Sequence, residues 1–159
     1  MLTAPKGVYL LFLLNTAATE LIIGKLGKGF FPQGLYIYVG SAMGSGGLEK
    51  RLQRHLSKQK KIFWHIDYLT TISTLITLAH LEILSDKKIE CQVNKLLVDL
   101  SDSNTIFPMK KFGSSDCSCT SHLTFWDQEP LESLLAKIKN KLANYRVKFT
   151  QREKLTTSD

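Results

Sequence analysis

Residues 34–56 read GLYIYVGSAMGSGGLEKRLQRHL, and this segment carries the clearest structural pattern in the chain. Its first part alternates aromatic and aliphatic residues over positions 35–40, which predicts a strand with two apolar faces. A turn rich in glycine follows, and leucines then recur every four residues at positions 48, 52 and 56. That spacing predicts a helix over residues 48–58 with one apolar face. The stretch therefore predicts a strand, a tight turn and an amphipathic helix in succession.

The rest of the chain also alternates between strand-like and helix-like segments. Residues 8–14 form an apolar run typical of a buried strand, and residues 20–26 are interpreted as its partner in a first hairpin. Glycines and a proline between positions 24 and 34 predict a connecting loop. Further along we expect a helix at 62–70, a strand at 73–84, a helix at 89–100, a short strand within 112–125 and a helix after Pro130. The fold class predicted is α/β (α+β), a small mixed or antiparallel sheet flanked by helices.

The length and composition indicate one domain with an appendage. At 159 residues and 43% hydrophobic content, the chain can bury a real core. We expect a compact domain over residues 1–126, an amphipathic helix over 127–147 packed on or beside it, and a frayed tail over 148–159. The apolar run near the N-terminus is too short to span a bilayer. Three cysteines do not suggest a disulfide scaffold, which favours the cytoplasm.

The charge of the chain is strongly basic and unevenly spread. The net charge is +7 with an isoelectric point near 9.3, which favours polyanionic partners. Between Glu49 and Lys61 there are six basic residues and one acid. This run is either a solvated helix face or a patch that follows phosphates. The candidate nucleic-acid-binding residues in it are Lys50, Arg54, Lys58, Lys60 and Lys61.

Several motifs together resemble the GIY-YIG endonuclease superfamily. Gly7-Val8-Tyr9 matches the first signature, Tyr38-Val39-Gly40 matches the second, and Arg51 matches the arginine of the helix that follows. More closely, the chain is similar to a small-protein subfamily that is sometimes joined to DNA-repair glycosylases. The segments that carry this similarity are residues 34–56 together with WHIDYL, IECQV and FGSSDCSCTSHL. The resemblance covers about residues 6–125.

The resemblance implies a metal-dependent endonuclease that hydrolyses phosphodiester bonds in DNA, in repair or recombination. The catalytic residues that it implies are Tyr9, Tyr38, Arg51 and His55. It also implies that Glu90 holds Mg²⁺ or Mn²⁺, with Glu82 and Asp67 as alternative ligands. No base-reading element is evident, so we expect selectivity for DNA structure and not for sequence. A non-catalytic nucleic-acid-binding module is the alternative.

Each implied catalytic residue also has a structural interpretation. The phenols of Tyr9 and Tyr38 could converge on one water and deprotonate it if the site lowers their pKa, or they could be core tyrosines. Arg51 could hold the scissile phosphate, or pair with Glu49. His55 could bind phosphate or relay a proton, or serve only the packing of its helix. Glu90 could bind metal, or complement the helix dipole.

Two other polar clusters receive mainly structural interpretations. His65 and Asp67, in WHIDYL, are expected to tie their helix to the sheet. Cys117, Cys119 and His122 are possible zinc ligands, and a zinc-stabilised interaction protein is a third functional alternative. This pattern lacks a clear fourth ligand, so zinc is not expected. The cysteines are instead expected to pack on a strand beside the cleft.

Overall fold

The computed structural model describes residues 3–101, 105–126 and 130–152. Within these ranges the chain forms seven strands and four α-helices, and a short 3-10 turn lies between the second and third strands. The strands are β1 (Gly7–Asn15), β2 (Thr19–Ile23), β3 (Gly27–Phe31), β4 (Gly34–Ala42), β5 (Leu75–Leu84), β6 (Leu123–Trp126) and β7 (Val147–Gln151). The helices are α1 (Gly47–Leu56), α2 (His65–Thr70), α3 (Glu90–Asp99) and α4 (Leu131–Lys141).

A five-stranded sheet in the order β6-β4-β1-β5-β7 forms the centre of the fold. Every neighbouring pair in it is antiparallel. Strand β1 lies in the middle because its residues are apolar on both faces, and positions 8–13 are at most 2% exposed. The predicted α/β class with a small antiparallel sheet flanked by helices is therefore confirmed.

Helices cover both faces of this sheet. One face packs against α1 and α2, whose leucines at positions 48, 52 and 69 are buried beside the β1 side chains Tyr9 and Leu11. The opposite face packs against α3 and α4. The apolar residues of α4 that reach this core are Leu134, Leu135 and Ile138. Every helix in the described part of the chain is too short or too polar to cross a bilayer.

The predicted first hairpin is wrong. Strand β1 pairs with β4 and β5, so both of its edges are occupied. Strand β2 pairs instead with β3, which lies within the glycine-containing segment expected to be a loop. The glycines there were misleading because one of them serves packing: a Cβ on Gly29 would lie 3.0 Å from the ring of Phe31 and 3.1 Å from the sulfur of Met109.

The predicted frayed tail is wrong for residues 148–151. Strand β7 adds an edge to the main sheet by pairing with β5. Its residues alternate, and Val147 and Phe149 pack against the core while Lys148 is exposed. Five residues with only two apolar positions give a weak strand pattern, which explains the error. Residues 153–159 of the expected tail, and the predicted start of the C-terminal segment at 127–129, lie outside the described residues.

The contact between β4 and β1 depends on Gly40. This residue lies opposite Tyr9 in the strand register. A Cβ at position 40 would lie 2.3 Å from the Tyr9 hydroxyl oxygen and 2.4 Å from the ring carbon that carries it. Only glycine leaves room for the ring of Tyr9 to lie across β4.

We expect Gly40→Ala to destabilise the protein by about 1–3 kcal/mol, because the added methyl group displaces a fully buried ring. Gly44→Ala is the matched control, since a Cβ at Gly44 would meet nothing within 4 Å. The control should change the free energy of unfolding by less than about 0.5 kcal/mol. Urea denaturation measures both, and equal losses would contradict the role given to Gly40.

Candidate functional site

Tyr9, Tyr38 and His55 meet at the contact between α1 and the sheet. The hydroxyl oxygen of Tyr9 lies 2.6 Å from Nε2 of His55 in a buried hydrogen bond. The Tyr9 ring centre lies 6.4 Å from that of Tyr38 and 5.1 Å from that of His55. Both phenols are at most 6% exposed. The three residues predicted to be catalytic are therefore neighbours beneath the surface.

Burial keeps the side chains of Tyr9, Tyr38 and His55 uncharged. It raises the pKa of the Tyr9 and Tyr38 phenols well above the ordinary value of 10. Burial, followed by the positive charge of Lys60, lowers the pKa of His55 from 6.5 to about 3. Tyr9 and Tyr38 could deprotonate a water only if the site lowered the pKa values of their phenols. The structure shows the opposite shift. At neutral pH the phenols are protonated and the imidazole is neutral, so Tyr9 and His55 share a hydrogen bond between two uncharged groups.

Arg51 links this buried group to the surface. Its guanidinium carbon lies 4.1 Å from the centre of the Trp64 ring, a cation–π contact that holds the side chain in place. Its positive charge opposes the effect of burial on the pKa of Tyr9. Sequence reasoning missed Trp64, which is recognisable only when α1 and the start of α2 are seen together.

An open cleft of about 350 Å³ lies beside Arg51. Its lining residues are Ser41, Arg51, Phe63, Trp64, His65, Glu90, Gly113, Ser115 and Asp116. After burial, the negative charge of Glu90 is one of the causes that raise the pKa values of Tyr9 and Tyr38. Thus Glu90, from a helix on the opposite face of the sheet, faces the same cleft as Arg51.

The oxygen donors of this cleft fit a hard divalent cation. Mg²⁺ is held by one or two carboxylates and keeps several waters. Glu90 and Asp116 both line the cleft, and the Glu90 side chain is 24% exposed. Among the described residues, Glu82 does not line it; this glutamate lies on β5 opposite Tyr9 in register. Glu90 is therefore better placed than Glu82 to hold a metal there.

Asp67 has a structural role, because its carboxylate is fully used in hydrogen bonds within the chain. Both carboxylate oxygens accept hydrogen bonds from the two terminal nitrogens of Arg54, each at 2.8 Å. The backbone N–H groups of Phe63 and Trp64 each donate to Oδ2 at 2.9 Å. Burial alone would raise the pKa of this carboxyl, but these donors outweigh it and hold the pKa below 3.8. Asp67 thus joins α2 to α1 and has no need of a metal.

His65 also has a structural partner, since its Nδ1 accepts a hydrogen bond from the Gly113 N–H at 2.9 Å. His65 and Asp67 do anchor α2, as the sequence predicts, but the predicted partner, the sheet, is wrong. Asp67 contacts α1, and His65 contacts the loop before β6, instead of the sheet.

Three of the five candidate phosphate-binding cations are engaged within the chain. Arg54 binds Asp67 and stacks on Trp64 at 4.5 Å. The amino group of Lys60 donates to the carbonyls of residues 54 and 55 at the end of α1, and that of Lys58 donates to the carbonyls of residues 72 and 75. Lys50 and Lys61 are exposed. Of the five candidate phosphate-binding cations, Lys50 and Lys61 are therefore the two that can contact a partner.

Comparison with family models gives a match to the "Domain of unknown function DUF123" over residues 8–144. The chain belongs to the DUF123 family. No curated protein and no solved structure matches it. The matched range runs from β1 through α4, so it includes every residue of the cleft and both helices that cover the other face. The DUF123 match extends to the helix that lies outside the GIY-YIG resemblance.

We expect Asp67→Asn to destabilise this DUF123 protein by about 3 kcal/mol, because it leaves the Arg54 guanidinium without its carboxylate in a partly buried site. Glu20→Gln is the matched control, since it breaks the exposed Lys28–Glu20 ion pair, whose side chains are 68% and 56% exposed. The control should cost less than about 1 kcal/mol. Denaturant unfolding of both variants gives the comparison, and similar losses would show that the Arg54–Asp67 pair is not a major constraint.

Proposed function

We propose that this protein is a metal-dependent endonuclease of the GIY-YIG type that hydrolyses phosphodiester bonds in DNA. The observation that carries the proposal is the meeting of Arg51 and Glu90 on one cleft, next to the buried Tyr9–His55 pair. These four residues come from three elements, β1, α1 and α3, which lie far apart in the chain. A cation, a carboxylate that can hold a metal and a fixed hydrogen-bonding group that orients water together suit this hydrolysis.

In this proposal Arg51 binds the scissile phosphate. Its planar fork of N–H donors suits two phosphoryl oxygens, and its stacking on Trp64 fixes the fork before substrate arrives. Lys50 and Lys61 then contact neighbouring phosphates as exposed cations. Because none of these groups reads a base edge, binding follows the backbone and the shape of the nucleic acid.

Glu90 and Asp116 would hold the metal ion, Mg²⁺ or Mn²⁺. When bound, the ion stabilises negative charge on the phosphoryl group and makes water more acidic. The chain itself would orient the attacking water. The neutral Tyr9 hydroxyl, fixed by its hydrogen bond with Nε2 of His55, orients the water, which gives its proton to solvent. The water oxygen bonds to phosphorus, the ester P–O bond breaks, and the leaving oxygen takes a proton from solvent.

An exposed aromatic residue at the cleft favours substrates with unpaired bases. Phe63 is 76% exposed and packs edge-on against Trp64, with 5.1 Å between the ring centres. A base freed from a duplex can stack on such a ring, whatever its identity. We therefore propose a branched, flapped or damaged duplex as substrate, as in repair or recombination. The three free cysteines accord with a reducing location, and we propose the cytoplasm.

A panel of DNA structures tests the proposal. Duplex, flap, junction and single-stranded DNA are incubated with Mg²⁺, Mn²⁺ or chelator, and product is measured on denaturing gels. We expect metal-dependent cleavage by the wild type, and a rate lower by about 100-fold or more for Arg51→Ala, which removes the principal phosphate donor. Arg146→Ala removes an exposed arginine outside the cleft and should keep the full rate.

The metal assignment has its own matched pair of variants. Glu90 and Glu132 each occupy the first turn of a helix, so neutralising either one costs a similar dipole interaction. Glu90→Gln should lower the cleavage rate by about 100-fold or more, whereas Glu132→Gln should leave it unchanged. Equal effects would mean that Glu90 holds no metal ion that cleavage needs.

The burial of both phenols favours a second candidate, a module that binds DNA without cutting it. Salt-sensitive DNA binding that requires Arg51, with no cleavage of any substrate by folded wild type in either metal, would replace the nuclease proposal with this one.

A further inference from the structure

A second cluster of reactive side chains lies beside the cleft. The ligand atoms of Cys91, Cys117, Cys119 and His122 all lie within 4.8 Å of one another. Cys91 comes from the first turn of α3, and the other three come from the loop that leads into β6. From the sequence alone, Cys117, Cys119 and His122 are possible zinc ligands that lack a clear fourth partner. The fold supplies that partner from a position 26 residues before Cys117.

We propose that Cys91, Cys117, Cys119 and His122 bind one zinc ion. Three thiolates and one imidazole form a complete tetrahedral ligand set, which is typical of a structural zinc site. Bonds of about 2.3 Å to sulfur and 2.0 Å to nitrogen place tetrahedral ligand atoms roughly 3.5–3.8 Å apart. The distance from Cys117 Sγ to His122 Nε2 is 3.6 Å, which already meets this requirement. The widest separation, 4.8 Å, needs to contract by only about 1 Å.

The loop is held in a shape that suits the site. The amino group of Lys111 donates to the carbonyl of Cys117 at 3.0 Å, which places a positive charge beside the cysteines. The Cys117 N–H donates to the carbonyl of Ser114 at 3.4 Å. From α3, the amide of Asn94 donates to the carbonyl of Ser121 at 3.0 Å. The helix and the loop are thus joined on both sides of the cluster, and a net negative Zn(Cys)₃(His) group would have a nearby cation.

The zinc site would connect to the cleft through His122. One ring nitrogen, Nε2, faces Cys117, and the other, Nδ1, lies 2.9 Å from Oε1 of Glu90 without an aligned hydrogen bond, so a small rotation of the ring would complete the contact. A metal-bound histidine that donates its second N–H to a carboxylate is a recurrent arrangement around zinc, because the carboxylate fixes the orientation of the ring. Glu90 is then a positioning residue for His122. If the nuclease proposal holds, on which this last step rests, zinc would also fix Glu90 at the cleft.

The metal content of the whole chain tests the proposal directly. The protein is produced without a histidine tag or chelator, and metals are measured by mass spectrometry. We expect about one zinc ion per chain, and at least a tenfold lower content in Cys91→Ser and Cys119→Ser. Ser118→Ala is the matched control, because Ser118 is exposed and lies between two of the cysteines. It should keep the wild-type content.

Cobalt substitution keeps the test valid if a cysteine variant fails to fold. Co²⁺ exchanged into wild type should give the visible and charge-transfer bands of a tetrahedral site with thiolate ligands. Folded wild type without zinc, zinc replaced by iron, or an octahedral cobalt spectrum would overturn the proposal. Arg51→Ala should keep its zinc. A protein that binds zinc but cuts no DNA would support the zinc site and contradict the nuclease proposal. Nuclease activity in zinc-free protein would refute the link between the zinc site and the cleft through His122.

Discussion

The hydrogen bond between Tyr9 and His55 is the interaction on which the candidate site depends. It joins the central strand to the last turn of α1, with 2.6 Å between the two atoms and no access to solvent. Since neither group is charged, the bond can be buried without the cost of an isolated ion. It fixes the helix relative to the sheet, so that Arg51, one turn earlier, faces the cleft and not the solvent. Gly40 permits this contact by leaving space for the Tyr9 ring.

The charges around this bond fall into two groups. Arg54 and Asp67 join α1 to α2, Lys60 binds the carbonyls at the end of α1, and each has partners that compensate for its burial. Arg51 and Glu90 line open space with opposite charges. A basic run in the sequence therefore contains both structural and available cations. The charges that are paired within the chain hold the framework of the cleft in place. The few charges that line the cleft stay available to a ligand.

The sequence was sufficient for the fold class, because periodicity is a local signal. Its short motifs also singled out Tyr9, Tyr38 and His55, which the fold brings together. The strand at β4 and the helix α1 follow directly from alternation and from leucines four residues apart. Contacts between distant segments were not accessible. Trp64 beneath Arg51, and Cys91 beside the C-x-C pair, become visible only when the chain is folded. Strand β7 and the β2–β3 pairing were missed because short polar strands and packing glycines resemble loops.

The protonation state of His55 tests the central interaction most directly. Nitrogen–proton NMR correlations of the imidazole side chains, followed from pH 7 to 4, distinguish neutral from charged rings, and His55→Gln identifies the signal. Because burial favours the neutral form, we expect the His55 ring to stay neutral throughout, in accord with a pKa of about 3. A His55 ring that titrates near its ordinary pKa of 6.5 would show that it is exposed, and would contradict the buried contact with Tyr9.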